Sequence, residues 1–143
     1  MAGWGLSATG ISASGMAAER RRMEVISNNI ANASSTRSKD GQPYRRQFVV
    51  FSAEQDSLSL NEGAFTGVKV EGVEQDTSPF NEVHMPGHPD ADPETGMVKM
   101  PNVKLPNEMV DLITASRSYE ANMKALTLFK EMVEQTLTLL RGR

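Results

Sequence analysis

The chain has 143 residues, a formal net charge of -3 and an apolar content of 38% without glycine, against roughly 45 to 50% for an ordinary globular domain when glycine is counted. Length allows one modest domain, but a large private core is not expected, and much of the burial is expected to come from neighbouring chains. No run of about 18 apolar residues is present, no basic-then-apolar leader opens the chain, and no cysteine occurs, so neither a membrane span, a cleavable signal nor a disulfide is expected.

Charge is segregated along the chain. Residues 1–46 carry seven basic and three acidic side chains, residues 47–100 two and ten, and residues 101–143 six and five. The middle reads as an acidic, exposed unit between neutral or basic ends.

The first fifteen residues contain Gly3, Gly5, Gly10 and Gly15, each costing about 1 kcal/mol relative to alanine in a helix. A better helix former starts at Ser14, and Met16, Met23 and Ile30 recur one heptad apart, with Ile26 and Ala33 three residues later. That spacing marks a helix seam facing a partner helix. Asn28, Asn29 and Asn32 compete for backbone hydrogen bonds, which ends the helix near Asn32.

Residues 34–43 read as a polar linker closing on the turn Asp40-Gly41-Gln42-Pro43. Tyr44 to Phe51 is β-branched and aromatic and predicts a strand; Phe65 to Glu74 predicts a second, interrupted at Gly72 by a bulge or turn. Together they predict one small antiparallel β unit. Six of the seven prolines fall between residues 77 and 107, where neither a long helix nor a central strand can persist, so this stretch is expected to be an extended, loop-rich return.

Pro106 suits the first turn of a helix running to about Leu140, about 50 Å long. Leu112, Tyr119, Leu126, Val133 and Leu140 form one heptad row; Met109, Ser116, Met123, Lys130 and Leu137 form the other. The expected fold is mainly α with a small β insertion, its N- and C-terminal helices paired as a coiled coil. The expected segments are 1–36 (first helix, with a start that is disordered in the free monomer), 37–104 (an outer β and loop domain) and 105–143 (second helix).

Few residues suggest chemistry. His84, His88, Asp90 and Asp92 combine imidazole and carboxylate, the ligand set of zinc or non-haem iron. The intervening Met85-Pro86-Gly87 and Pro89 make a stiff turn, however, and no distant cluster completes a site. Arg20-Arg21-Arg22 and Arg45-Arg46 lack an aromatic platform for nucleic acid and are expected to pair with the acidic middle of neighbouring subunits. There is no cysteine nucleophile, phosphate loop or nucleophile elbow. No catalytic, metal or cofactor residue is assigned.

Four blocks carry a family resemblance. Ser12 to Gly15 and Arg22-Met23-Glu24-Val25-Ile26-Ser27-Asn28-Asn29-Ile30-Ala31-Asn32 resemble the N-terminal signature of bacterial flagellar rod and hook proteins. Gly41-Gln42-Pro43-Tyr44-Arg45-Arg46-Gln47 resembles the GGPYRRK segment of that family's proximal-rod branch, as does Pro86-Gly87-His88-Pro89-Asp90 with Pro101-Asn102-Val103 after it. Glu108 to Asn122, including Arg117 and Tyr119, is similar to the closing motif. Gln42 and Gln47 depart from the usual Gly and Lys, and His84-Met85 from the usual Tyr-Asp.

The resemblance implies a non-enzymatic subunit of the basal-body rod, polymerising through its terminal helices into a drive shaft that carries torque from motor to hook and filament. It implies contact with copies of itself and with the rod proteins FlgB, FlgF, FlgG and FliE, with the MS ring and P ring nearby, and neither nucleic acid nor a membrane span. It also implies passage through the flagellar type III export apparatus to a periplasmic rod, reversing the cytoplasmic location that the missing leader suggests. The expected assembly seam is Met16, Met23, Ile26, Ile30, Met109, Leu112, Tyr119, Met123, Leu126, Val133 and Leu137. Competing readings are another axial protein of the same family, a metal-dependent hydrolase using His84, His88 and Asp90, and an adaptor whose two helices form an independent hairpin.

Overall fold

A computed structural model describes residues 3–38, 40–55 and 65–142. Helix α1 spans Gly3–Ala31 and helix α2 Leu105–Arg141; between them lie strands β1 (Gln47–Gln55), β2 (Phe65–Gln75), β3 (Asn81–His84) and β4 (Met97–Met100). The strands form two two-stranded antiparallel sheets, β1 with β2 and β3 with β4.

Helix α2 starts where its local chemistry directs. The Lys104 carbonyl accepts the amides of Asn107 and Glu108 at 3.0 and 3.1 Å, and Pro106 occupies a first-turn position whose amide would have no helical partner. Glu108 in the first turn and Arg141 in the last match the two poles of the helix. Helix α1 ends by side-chain capture: the Asn32 amide donates to the Asn28 carbonyl at 2.9 Å, and its oxygen accepts the Ser35 hydroxyl at 3.2 Å. The linker then turns at Gly41, whose φ of 72° suits glycine and whose amide donates to the Ser38 carbonyl at 3.0 Å.

Three local expectations change. Helix α1 already includes the glycine-rich stretch before Ser14, beginning at Gly3, although each glycine there weakens a helix. Strand β2 runs through Gly72 without a break. The proline-rich stretch contains the β3–β4 hairpin, in the register Asn81↔Met100, Glu82↔Lys99, Val83↔Val98, His84↔Met97. Its strands are four residues each and fit between the prolines: Pro79 precedes β3, Pro86, Pro89 and Pro93 lie in the connection, and Pro101 follows β4. All four β3 residues are exposed, so no alternating pattern advertises the strand.

The chain divides into two compact units, each drawing on all three chain segments: one comprises the described residues of Met1–Arg21, Phe51–Glu71 and Thr114–Arg143, the other Arg22–Val50 and Gly72–Ile113. The second has a small core in which Val25, Ile26, Val98 and Val103 are buried. In the first, Ala18 and Ala115 are buried. There Gly67 has a φ of +152°, a β-carbon added to it would overlap the Ser14 hydroxyl, and the next amide, Val68, donates to that hydroxyl at 3.1 Å. Gly67→Ala is therefore expected to lose about 1 to 3 kcal/mol through strain and overpacking, read as a lower urea midpoint of the purified chain; an unchanged midpoint would mean that this contact is not maintained in solution.

Candidate functional site

The buried polar groups of the Arg22–Val50 and Gly72–Ile113 unit converge on one hub. Asn29 of α1 and Glu108 of α2 are both fully buried. The Asn29 amide nitrogen donates to Glu108 Oε2 at 2.9 Å and to the Gln47 carbonyl at 2.8 Å. Its oxygen accepts the Tyr44 hydroxyl at 2.9 Å and the Gln47 amide at 3.0 Å. Two donors and two acceptors are all the bonds an asparagine side chain can make, so Asn29 is saturated.

Glu108 is held equally closely. Arg46 Nε donates to its Oε1 at 2.6 Å, a charge-assisted bond, and the same guanidinium reaches Asp111 at 3.5 Å and Asp76 at 3.9 Å. Arg22 lies 3.8 Å from Asp111. Asn29 and Glu108, and Arg22 and Asp111, thus join α1 and α2 at two points that run in opposite directions along the helices. Burial of the Tyr44 phenol, and then the Glu108 charge near it, push its pKa above the usual tyrosine value.

A second ring of bonds fixes the Arg46 backbone. Its amide donates to Asn102 Oδ1 at 2.8 Å, and its carbonyl accepts the Asp76 amide at 2.8 Å. The Asn102 amide nitrogen closes the ring on the Asp76 and Ser78 carbonyls. Arg45 stacks 4.3 Å over the Phe80 ring and donates to the same two carbonyls. The arginine pair therefore serves this chain's own fold, with acidic and carbonyl partners within reach.

Asp76 accepts the side-chain hydroxyl and the backbone amide of Ser78, which lower its pKa, with Arg46 and Arg45 adding to the effect. A depressed carboxylate pKa contributes stability that is present above the unfolded value of about 3.9 and is lost as pH falls through the folded value. Ser78→Ala should raise the Asp76 pKa toward the ordinary value while leaving it below, because the backbone bond remains. Carboxyl-carbon NMR titration reads this directly, and an unmoved titration would discount the hydroxyl.

The His84 to Asp92 cluster does not assemble. His88 Nδ1 accepts the Asp90 amide at 3.1 Å, Asp90 takes the Thr36 hydroxyl at 2.8 Å and Arg37 at 3.3 Å, and His84 packs on Gly96. Among the described residues no three His, Cys, Asp or Glu side chains come together to hold a metal ion.

A family profile described as flagella basal body rod protein matches residues 11–37, and one described as flagellar basal body rod FlgEFG protein C-terminal matches residues 94–139. The flagellar basal-body rod protein FlgC of Borreliella burgdorferi is 40% identical over 95% of this chain and 97% of its own length. FlgC of Salmonella typhimurium is 44% identical over 90% and 92%, and FlgC of Bacillus subtilis 43% over 89% and 92%. The chain belongs to the FlgC family of flagellar basal-body rod proteins.

Within this FlgC-family chain, the motif residues fall into two groups. Asn29, Asn32, Tyr44, Arg45 and Arg46 take part in the hub or its supports, whereas Asn28, Pro86, Gly87 and Arg117 are exposed. Asn122 donates to the Ser118 carbonyl at 3.0 Å, and a β-carbon on Gly15 would sit 3.0 Å from its side-chain nitrogen. Of the seam residues, Ile26 is buried, and Met16, Met23, Ile30, Leu112, Tyr119 and Leu126 are half-buried. Met109 and Met123 are 53% and 46% exposed, and Val133 and Leu137 are exposed as well. Within the single chain the second α2 row falls one residue earlier, on Glu108, Ala115, Asn122 and Phe129.

Glu108, Asn102 and Asp76 were not among the residues singled out from the sequence. Asn102 and Glu108 lie inside the family blocks, but nothing in their own spacing marks them as buried polar residues.

Proposed function

We propose that this chain is a structural, non-enzymatic subunit of the bacterial flagellar basal-body rod. The observation that carries the reading is the identity of 40 to 45% to FlgC proteins of several bacteria over about nine-tenths of the chain. Rod subunits assemble with other rod proteins, and the partners here are further copies of the chain together with FlgB, FlgF, FlgG and FliE. The MS ring lies at the rod base and the P ring around it.

In this reading the helical segments 1–36 and 105–143 pair with those of neighbours as coiled coils in an inner tube, and 37–104 faces outward. The exposed apolar side chains of α2, among them Met109, Met123, Val133 and Leu137, support it, since a lone helix in water gains nothing by displaying them. Subunits meeting head to tail without closing the rotation build a helical shaft able to carry torque. No helix among the described residues is long and apolar enough to cross a membrane. In this reading the flagellar type III export apparatus delivers the subunit to the periplasmic rod.

Deleting the gene in its native bacterium tests the reading. The deletion strain is expected to be non-motile and to show basal bodies without a completed rod in cryo-electron tomograms, and a plasmid copy should restore both. Complete rods in the deletion strain would overturn it.

A further inference from the structure

The hub raises a question that a rod role alone leaves open: why a helix pair buries a carboxylate and an amide where leucine would pack. Along α1, Val25 and Ile26 are buried and Asn29 continues their stripe one turn later. On α2, Glu108 stands in a row followed by Leu112, Ala115, Tyr119, Asn122 and Leu126, at alternating spacings of four and three. The apolar members repeat by sevens. A slip of one heptad would put like against like and meet little resistance.

Asn29 resists it. Its four bonds go to Glu108, Tyr44 and both backbone groups of Gln47. The residue one heptad beyond Glu108 is Ala115, which offers no side-chain acceptor. A slipped pair would break the Asn29–Glu108 bond and leave one amide hydrogen and one carboxylate oxygen buried without a partner, an arrangement that costs more than an apolar mismatch. A single polar residue in an apolar helix seam sets register in this way, at some expense of stability.

We infer that the Asn29–Glu108–Arg46 hub is a register lock: its role is to select one axial alignment of α1 against α2, rather than to supply net stability, and so to fix which side chains face the neighbouring subunits. Asn29, Arg46 and Glu108 act as positioning residues. A buried, hydrogen-bonded ion pair is often matched or exceeded in stability by well-packed apolar residues of similar volume, so selection of alignment is the property that apolar replacement would remove. The inference rests on the rod reading.

The test replaces the whole hub at once, with Asn29→Leu, Arg46→Met and Glu108→Met in the full chain. Urea unfolding of the purified protein and tomographic counts of rods in the complemented deletion strain are the two readouts. The expected result is a chain that still folds, its urea midpoint lowered only modestly because the Tyr44 hydroxyl and the Gln47 backbone lose Asn29, with at least tenfold fewer rod-bearing basal bodies. A folded apolar hub that builds rods normally overturns the inference, because alignment then needs no polar residue. A triple variant that cannot fold also overturns it, because the polar groups would then carry the stability itself.

Glu108→Gln is the second arm. It keeps the volume and an acceptor for Arg46 but turns a donor against a donor within the hub. It should fold with a lowered midpoint and build at least tenfold fewer rods; normal rods, or an unfolded chain, would each count against the lock. Failure of the natural chain to restore rods to the deletion strain would instead strike the rod reading itself.

Discussion

Glu108→Ala is expected to lower the stability of the purified chain by about 3 kcal/mol, the largest effect of any single truncation in its unit. The carboxylate is fully buried and accepts from Arg46 Nε at 2.6 Å and from Asn29 at 2.9 Å. Removing it strands one amide donor of a fully buried asparagine and unpairs a guanidinium. Breaking a buried pair by deleting one partner costs roughly 3 to 5 kcal/mol, and the lower end applies because a quarter of the Arg46 side chain remains open to water and because Asp111 and Asp76 stand by as weaker partners. Urea titration followed by circular dichroism reads the loss as a shifted midpoint. A change below about 1 kcal/mol, the net worth of an ordinary hydrogen bond, would mean that water replaces the carboxylate and that the hub is wetter than its geometry indicates. Truncation and apolar replacement of the three side chains together are thus expected to differ in size: the first strands the Asn29 amide and the Arg46 guanidinium, whereas the second leaves only the Tyr44 hydroxyl and the Gln47 backbone groups to find other partners.

This contrast also shows what the sequence could and could not disclose. Both helices were legible because they announce themselves twice, through apolar periodicity and through end signals: Asn32 at the close of α1 and Pro106 at the opening of α2. The β1–β2 pairing was legible from Phe48 to Phe51 and Val68 to Val70, where β-branched and aromatic residues cluster. The β3–β4 hairpin was not, because four-residue strands with one fully exposed member produce no alternation and prolines on every side argue against a sheet. Prolines exclude a central strand, and a two-stranded hairpin has none.

The hub was half legible. Asn29, Tyr44 and Arg46 stood out as motif residues, but their partner Glu108 is separated from Asn29 by 79 positions, and pairing across that distance is created by the fold. An isolated glutamate at a helix start looks like a dipole-favoured surface residue. Only its zero exposure reveals that it belongs to the core. The α2 rows show the same limit more finely: a heptad fixes spacing, while which of two adjacent residues faces inward depends on what it packs against, so the row inside the single chain starts at Glu108 and Met109 is left outside.

Leu126→Asp is expected to abolish motility while leaving the subunit synthesised at its normal level. Leu126 is half-buried in the single chain and belongs to the heptad row Leu112, Tyr119, Leu126 and Val133, which the proposed coiled-coil seam uses. A carboxylate there keeps some access to water in the free subunit, so the isolated chain should still fold. In a packed seam it becomes an unpaired buried charge, with a penalty of several kcal/mol. About 3 kcal/mol per contact weakens association by about a hundredfold, and a helical polymer meets the same defect at every subunit. Immunoblots of whole cells separate loss of protein from loss of assembly, motility agar reports function, and tomograms count rods. Motile cells carrying Leu126→Asp would remove this residue from the seam and turn attention to the exposed side chains one position round the helix, Met109 and Met123, as the surface on which neighbours pack.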